Sequence, residues 1–268
     1  MEITSGAATL AAESHGSGPD VLLLHAGVTD QRSWSHVVDA LPGFRCLTYD
    51  TRGYGRTTYE PEDGWSDVDD AHAVLDAYDV ASAVVVGCSM GGRTSIDLAL
   101  THPERVRALV LIGPAVSGAP EATYEPEVLA LDEEWETAEQ RGDLATVNRL
   151  EARVWLDGPT APEGRVGGAA RDLFLEMNAV ALDADDPGDR REDAQAWDRL
   201  AEITVPTVVM VGDLDLQYIK RNCAHLAGTI PGARLVELPG VAHVPHLEGD
   251  RATIDAITGF VRGLGAAI

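Results

Sequence analysis

Residues 87 to 92 read Gly-Cys-Ser-Met-Gly-Gly and lie between the apolar run 83–86 and a stretch compatible with a helix. A serine inside G-x-S-x-G at a strand-to-helix bend sits on a sharp turn. Its Oγ is exposed at the strand's carboxyl end, and helix N–H groups point at the same spot. Gly87, Gly91 and Gly92 stand where a side chain would collide with a neighbouring strand or helix. Ser89 is therefore a candidate nucleophile. A hydroxyl needs a base within hydrogen-bond reach, and the base needs an acid to fix its tautomer and stabilise the imidazolium. Two later segments offer both. The apolar run 207–212 ends in Asp213-Leu214-Asp215, and the run 234–238 is followed by Pro-Gly-Val-Ala-His243, with His246 three residues on. Features in the order Ser…Asp…His, each at the carboxyl end of an expected strand, point to acyl transfer through a covalent intermediate. At this level either aspartate fits.

The elements that would position these residues alternate between strand and helix, which predicts an α/β fold with a largely parallel sheet. A first strand is expected over 2–12 and a turn at Gly16-Ser17-Gly18-Pro19-Asp20. Strands follow at 21–25, 44–50, 83–88 and 106–113, with helices at 34–41, 67–78 and from the serine to about 101. The alternation stops from about 114 to 200, where the chain is charged and helix-like, broken by Gly158-Pro159, Gly167-Gly168 and Pro187-Gly188. It resumes with strands 207–212 and 234–238 and helices 218–227 and 250–263. The expected organisation is a core of 1–113 and 201–268 with a helical cap, 114–200, over the sheet's carboxyl edge, where open α/β sheets bind ligands.

Composition narrows the function classes. With 268 residues the chain can bury a sizeable core, and its apolar share of 45% is that of an ordinary globular protein. The start lacks a basic region followed by an apolar core, and no apolar run approaches about 20 residues, so neither a secretory signal nor a membrane span is expected. Cys46, Cys88 and Cys223 are scattered, which fits a reducing cytoplasm. A net charge of −24 argues against nucleic acid or an anionic membrane as partner. Over residues 115–203 roughly 22 Asp/Glu stand against 8 Arg, which reads as a solvated acidic surface.

The sequence resembles the α/β-hydrolase superfamily over essentially its whole length. The matching pieces are Leu24-His25-Ala26-Gly27, the loop Tyr49-Asp50-Thr51-Arg52-Gly53-Tyr54-Gly55, the 87–92 turn, Val211-Gly212-Asp213-Leu214-Asp215 and Gly240-Val241-Ala242-His243. The resemblance implies an α/β-hydrolase fold with helices on both faces of the sheet. Its G-x-x-D and G-x-x-H patterns put the acid at Asp215 and the base at His243. It implies an oxyanion hole from the N–H groups of Met90 and Gly27, donors worth about 3–4 kcal/mol each to a transition state. His-Ala-Gly stands where His-Gly-Gly or His-Gly-x is usual, which makes Val28 a rival to Gly27. A serine at position 89 excludes the chemistry of relatives that need a carboxylate nucleophile there. His25 would brace the oxyanion loop, and Asp50 and Arg52 would tie their loop to the core. No metal, nucleotide or other cofactor is implied.

The expected reaction is hydrolysis of a carboxylic ester or lactone of a small to medium apolar substrate. Trp135, Trp155, Phe174 and Met177 of the cap are the candidate pocket residues, although such residues are more often helix-packing core. Rival chemistries on this fold are carbon–carbon bond hydrolysis, aminopeptidase and perhydrolase activity. A non-catalytic ligand-binding receptor and a protein-interaction module built on the acidic insertion are the readings from other classes.

Overall fold

The computed structural model describes residues 1–124 and 126–265. Among these, nine strands form one sheet: β1 (Glu2–Ser5), β2 (Ala8–Gly16), β3 (Asp20–Leu24), β4 (Arg45–Tyr49), β5 (Thr58–Tyr59), β6 (Ala83–Cys88), β7 (Val106–Ile112), β8 (Thr207–Gly212) and β9 (Arg234–Leu238). They line up β1-β2-β4-β3-β6-β7-β8-β9, with β5 beside β2. The pairs from β4 to β9 are parallel, and β2 joins β4 antiparallel.

Both faces of the sheet are covered, which is why its central strands read as unbroken apolar runs. In β6, Val85 points into one core with α2 (Asp67–Ala77), α3 (Met90–Thr101) and α7 (Gln217–Thr229). Val84 and Val86 point into the other, with Trp34, α1 (Ser35–Asp39) and α8 (Arg251–Gly265). No helix of the described residues is long and apolar enough to cross a membrane.

Two local expectations need correction. The stretch 2–12 is a hairpin, not one strand: β1 and β2 pair antiparallel from Ser5↔Ala8 to Glu2↔Ala11, and Gly6 makes the reversal at φ 53°. A lone glycine in an alternating run gives little warning of a two-residue loop. The helix expected over 34–41 starts earlier, as a 3-10 turn at Gln31–Trp34 whose Asp30 side chain accepts from Arg32 N, and α1 then ends at Asp39.

Between β7 and β8 the chain leaves the sheet for α4 (Pro126–Gln140), α5 (Leu144–Glu151) and α6 (Gly168–Leu182). From α5 the helix continues into a π-helical turn, Ala152–Asp157. The stretch beyond α6 is irregular and strapped to the core. Glu62 N donates to Pro187 O at 2.9 Å, Gly64 N to Asp189 O at 2.7 Å and Arg191 N to Trp65 O at 2.8 Å.

Candidate active site

The turn after β6 is strained. Ser89 has φ 52° and ψ −113°, a region a side-chain-bearing residue occupies at a cost of about 1–3 kcal/mol. Ser89 N donates to Ile112 O, and Ser89 O accepts from Arg93 N and Ala115 N, each at 3.0 Å. The glycines let α3 come close: a Cβ on Gly91 would collide with Leu24 O, and one on Gly92 would lie 2.6 Å from Pro114 Cβ. Gly91 N donates to His25 O at 3.1 Å, which fastens the helix start to the end of β3. Met90 opens α3, and the first-turn amides of a helix have no acceptor within it.

The loop after β3 meets that helix start. A Cβ on Gly27 would stand 3.8 Å from both Cβ and Sδ of Met90 and 3.4 Å from the Tyr54 hydroxyl, so Gly27 and Met90 share one corner. His25 is buried behind it. Thr51 N donates to His25 Nε2 at 3.1 Å, leaving Nδ1 to donate to Ala26 O at 2.9 Å. This is a bracing role. Asp50 and Arg52 also hold the frame: Asp50 accepts from Gln31 N and Arg56 N, and Arg52 pairs with Asp70 and Glu62. Tyr54, which carries no sequence signal beyond its loop, sets its ring edge against His25, centroids 5.1 Å apart. Burial raises its hydroxyl to about 12, so it stays a neutral donor.

The other two candidates meet beneath the insertion. Asp215 Oδ2 lies 2.8 Å from His243 Nδ1, with both side chains buried, and Asp215 Oδ1 accepts from Leu216 N at 2.8 Å. Asp213 instead accepts from Gly240 N at 2.7 Å, holding the turn that leads to the histidine. His243 Nε2 has no hydrogen-bond partner among the described residues. Gly113, at φ 46°, forms the floor under the pair: a Cβ there would lie 3.0 Å from the His243 ring and 3.2 Å from Asp215 Oδ2. Because Ser89 N bonds to Ile112 O, the serine turn and the imidazole flank the same end of β7.

His246 is fully buried, and neither ring nitrogen has a hydrogen-bond partner among the described residues. Its ring stacks on Trp34 with centroids 4.0 Å apart, and burial lowers its pKa to about 3, so it is neutral. His225 stacks on Trp197 at 4.2 Å.

The pocket candidates divide. Trp135 and Trp155, with Tyr124, Val128, Leu131 and Leu216 and the carboxylate-bearing Glu136 and Glu139, line a mixed cavity of about 350 Å³, and the Trp155 ring also lies 4.8 Å from His243. Phe174 and Met177 are fully buried, in the same core cluster as Val28 and Trp34. A second cavity of about 350 Å³ adjoins Met90 and Tyr54, with Trp65 and the Arg190–Asp67 ion pair in its wall. A larger concavity, about 890 Å³, is lined by none of Ser89, Asp215 and His243. Trp155 O, Cys88 Sγ and Gly113 at the histidine went unforeseen; a glycine ending an apolar strand was the only available hint.

Comparison with known proteins agrees with this architecture. The chain is 30% identical over 257 residues to a pimeloyl (acyl-carrier protein) methyl ester esterase of Yersinia enterocolitica, covering 91% of this chain and 93% of that one. It is 40% identical over 107 residues, 38% of this chain and 35% of the other, to a 2-hydroxymuconate semialdehyde hydrolase of a Pseudomonas species. Among solved structures it is similar to Est816, described as an N-acyl homoserine lactone degrading enzyme, with a TM-score of 0.74, 26% identity and coverage of 98% and 99% of the two chains. The family model for the alpha/beta hydrolase fold matches residues 19–250, and the chain belongs to that family.

Proposed function

We propose that the protein is a serine hydrolase that cleaves a carboxylic ester or lactone of a small to medium apolar substrate. The observation that carries this reading is the 2.8 Å Asp215–His243 contact at the sheet edge where Ser89 sits on its strained turn. Asp215 holds the imidazole with Nδ1 protonated, so Nε2 is the basic nitrogen. His243 Nε2 takes the Ser89 proton as Oγ attacks the carbonyl carbon. The N–H groups of Met90 and Gly27 receive the oxyanion. As the tetrahedral intermediate collapses, His243 gives the proton to the leaving alkoxide. Water deprotonated by the same nitrogen then attacks the acyl-enzyme and releases the acid.

The aromatic and aliphatic side of the cavity beside Trp155 supports a hydrocarbon group on the substrate, with Glu136 and Glu139 on its polar side, and its volume is near the lower end for small-molecule sites. The net charge of −24 weighs against polyanionic partners. A second reading, carbon–carbon bond hydrolysis by the same residues, draws on the partial likeness to the semialdehyde hydrolase.

Hydrolysis of p-nitrophenyl esters from acetate to octanoate, by the wild type and Ser89→Ala in parallel, tests the proposal. Turnover that disappears with the serine is the expected result, and its chain-length optimum measures the cavity. A folded wild type inert on every ester and lactone would overturn the ester reading and leave the carbon–carbon substrate to be tried.

A further inference from the structure

The last carbonyls of a helical segment have no partner inside it and must find donors elsewhere. At the end of the π-helical turn, those donors come from one arginine and from the loop that carries His243. Trp155 O accepts from His243 N at 3.2 Å. Leu156 O and Asp157 O accept from Arg165 Nη2 and Nε at 2.6 and 2.7 Å. The same guanidinium reaches into the core. Its Nη1 donates to Gly240 O at 3.0 Å, and Nη1 and Nη2 clasp the Glu248 carboxylate at 2.9 and 2.7 Å. Arg165 is thus bonded to the cap behind Trp155 and to the core at Gly240 and Glu248, which bracket His243. Both charged side chains are largely buried, at 20% and 10% exposure, so water does little to replace either partner.

From this geometry we infer that Arg165, with Glu248, is a positioning residue: it locks the π-helical turn to the histidine loop and so holds His243 in register with Ser89. This rests on the Ser89–His243–Asp215 reading above. Arg165 touches none of those three side chains and acts through the backbone of residues 155–157 and 240. A planar fork with several donors is needed to span these acceptors, and a lysine ammonium supplies only part of the set. Misplacing a reacting group by about 1 Å costs on the order of a hundredfold in rate.

The test follows covalent labelling by an alkyl fluorophosphonate in wild type, Ser89→Ala, Arg165→Met, Arg165→Lys and Glu248→Gln, with the melting temperature of each. In labelling, Ser89 Oγ bonds to phosphorus, the P–F bond breaks, fluoride leaves and the serine proton passes to His243. The maximal labelling rate reports alignment of serine and base, and the half-saturating concentration reports reversible binding. In Arg165→Met we expect a maximal rate about ten- to a hundredfold lower with half-saturation within about twofold. Arg165→Lys should recover part of the rate, and Glu248→Gln should fall between. A folded Arg165→Met with the wild-type rate, or one that loses only reversible binding, overturns the inference. If Arg165→Met does not fold, wild-type rates in both Arg165→Lys and Glu248→Gln overturn it equally. A wild type that is not labelled, or is labelled as fast in Ser89→Ala, contradicts the nucleophile assignment instead.

Discussion

The thiol of Cys88 donates to the carbonyl of His243 at 3.3 Å, joining the residue before the serine to one 155 positions later. With Trp155 O on its N–H, the histidine backbone is held from both sides. Cys88 is fully buried, and desolvation raises its thiol well above the ordinary cysteine range; burial does the same to Cys46 and Cys223. The native protein should therefore show no thiol that reacts rapidly with Ellman's reagent, whereas the unfolded chain should titrate all three cysteines. Cys88→Ala should destabilise by about 1–2 kcal/mol, from a lost weak donor and a small cavity, in denaturant melts. Rapid modification of the native state would show that this strand edge opens.

The two aspartates after β8 should separate cleanly in kinetics. Asp215→Asn leaves the shape intact but offers His243 Nδ1 the wrong partner, and a loss of about 10⁴ in kcat is expected. Asp213→Ala removes only the acceptor for Gly240 N, at an exposed bond worth about 1 kcal/mol of stability, and should keep turnover within about an order of magnitude. Equal losses in the two variants would break the assignment.

Gly113→Ala is a one-methyl probe of the site's floor. The left-handed φ alone costs about 1–2 kcal/mol, and the new Cβ presses on the His243 ring and Asp215. The expected signature is a lower melting temperature together with a lower kcat. An alanine variant with unchanged kcat would mean that the pair tolerates displacement.

The pH dependence of stability should carry the mark of Asp97 on α3. Burial raises its carboxyl to about 6, against the Ser117 hydroxyl and Arg93, which pull it down. The folded state thus holds this proton more tightly than the unfolded chain does. Through this group, stability is greatest below about pH 4 and declines as pH rises to about 6, by at most about 3 kcal/mol. Asp97→Asn should raise the melting temperature at pH 8 more than at pH 4.5. The reverse order would show that the native state favours the charged form.

The catalytic candidates were legible because each follows a strand of the parallel sheet; β6 and β8 are buried on both faces and read as apolar runs, whereas the edge strand β9 is mostly exposed. Ser89, Asp215 and His243 follow β6, β8 and β9 directly or within a short turn. The insertion was legible only as an interruption. Its helices are charged, and nothing local distinguishes Trp155, which faces His243, from Phe174 and Met177, which fill the core. The Arg165–Glu248 pair spans 83 positions and has no periodicity to announce it. Gly6 shows the same limit at short range, since a single glycine left the hairpin hidden in an alternating run.

The strand order also governs when the chain becomes competent. Ser89 leaves β6 in the first half of the chain, whereas Asp215 follows β8, which docks on β7 across an excursion of about ninety residues, and His243 follows β9, which docks on β8 in turn. Pairings this remote in sequence form slowly, because the intervening loop must first be closed. A refolding chain is therefore expected to form the Ser89 turn before His243 is seated. Under the proposed mechanism, activity should return after most of the helical signal has recovered, which would make serine reactivity a late clock for completion of the sheet.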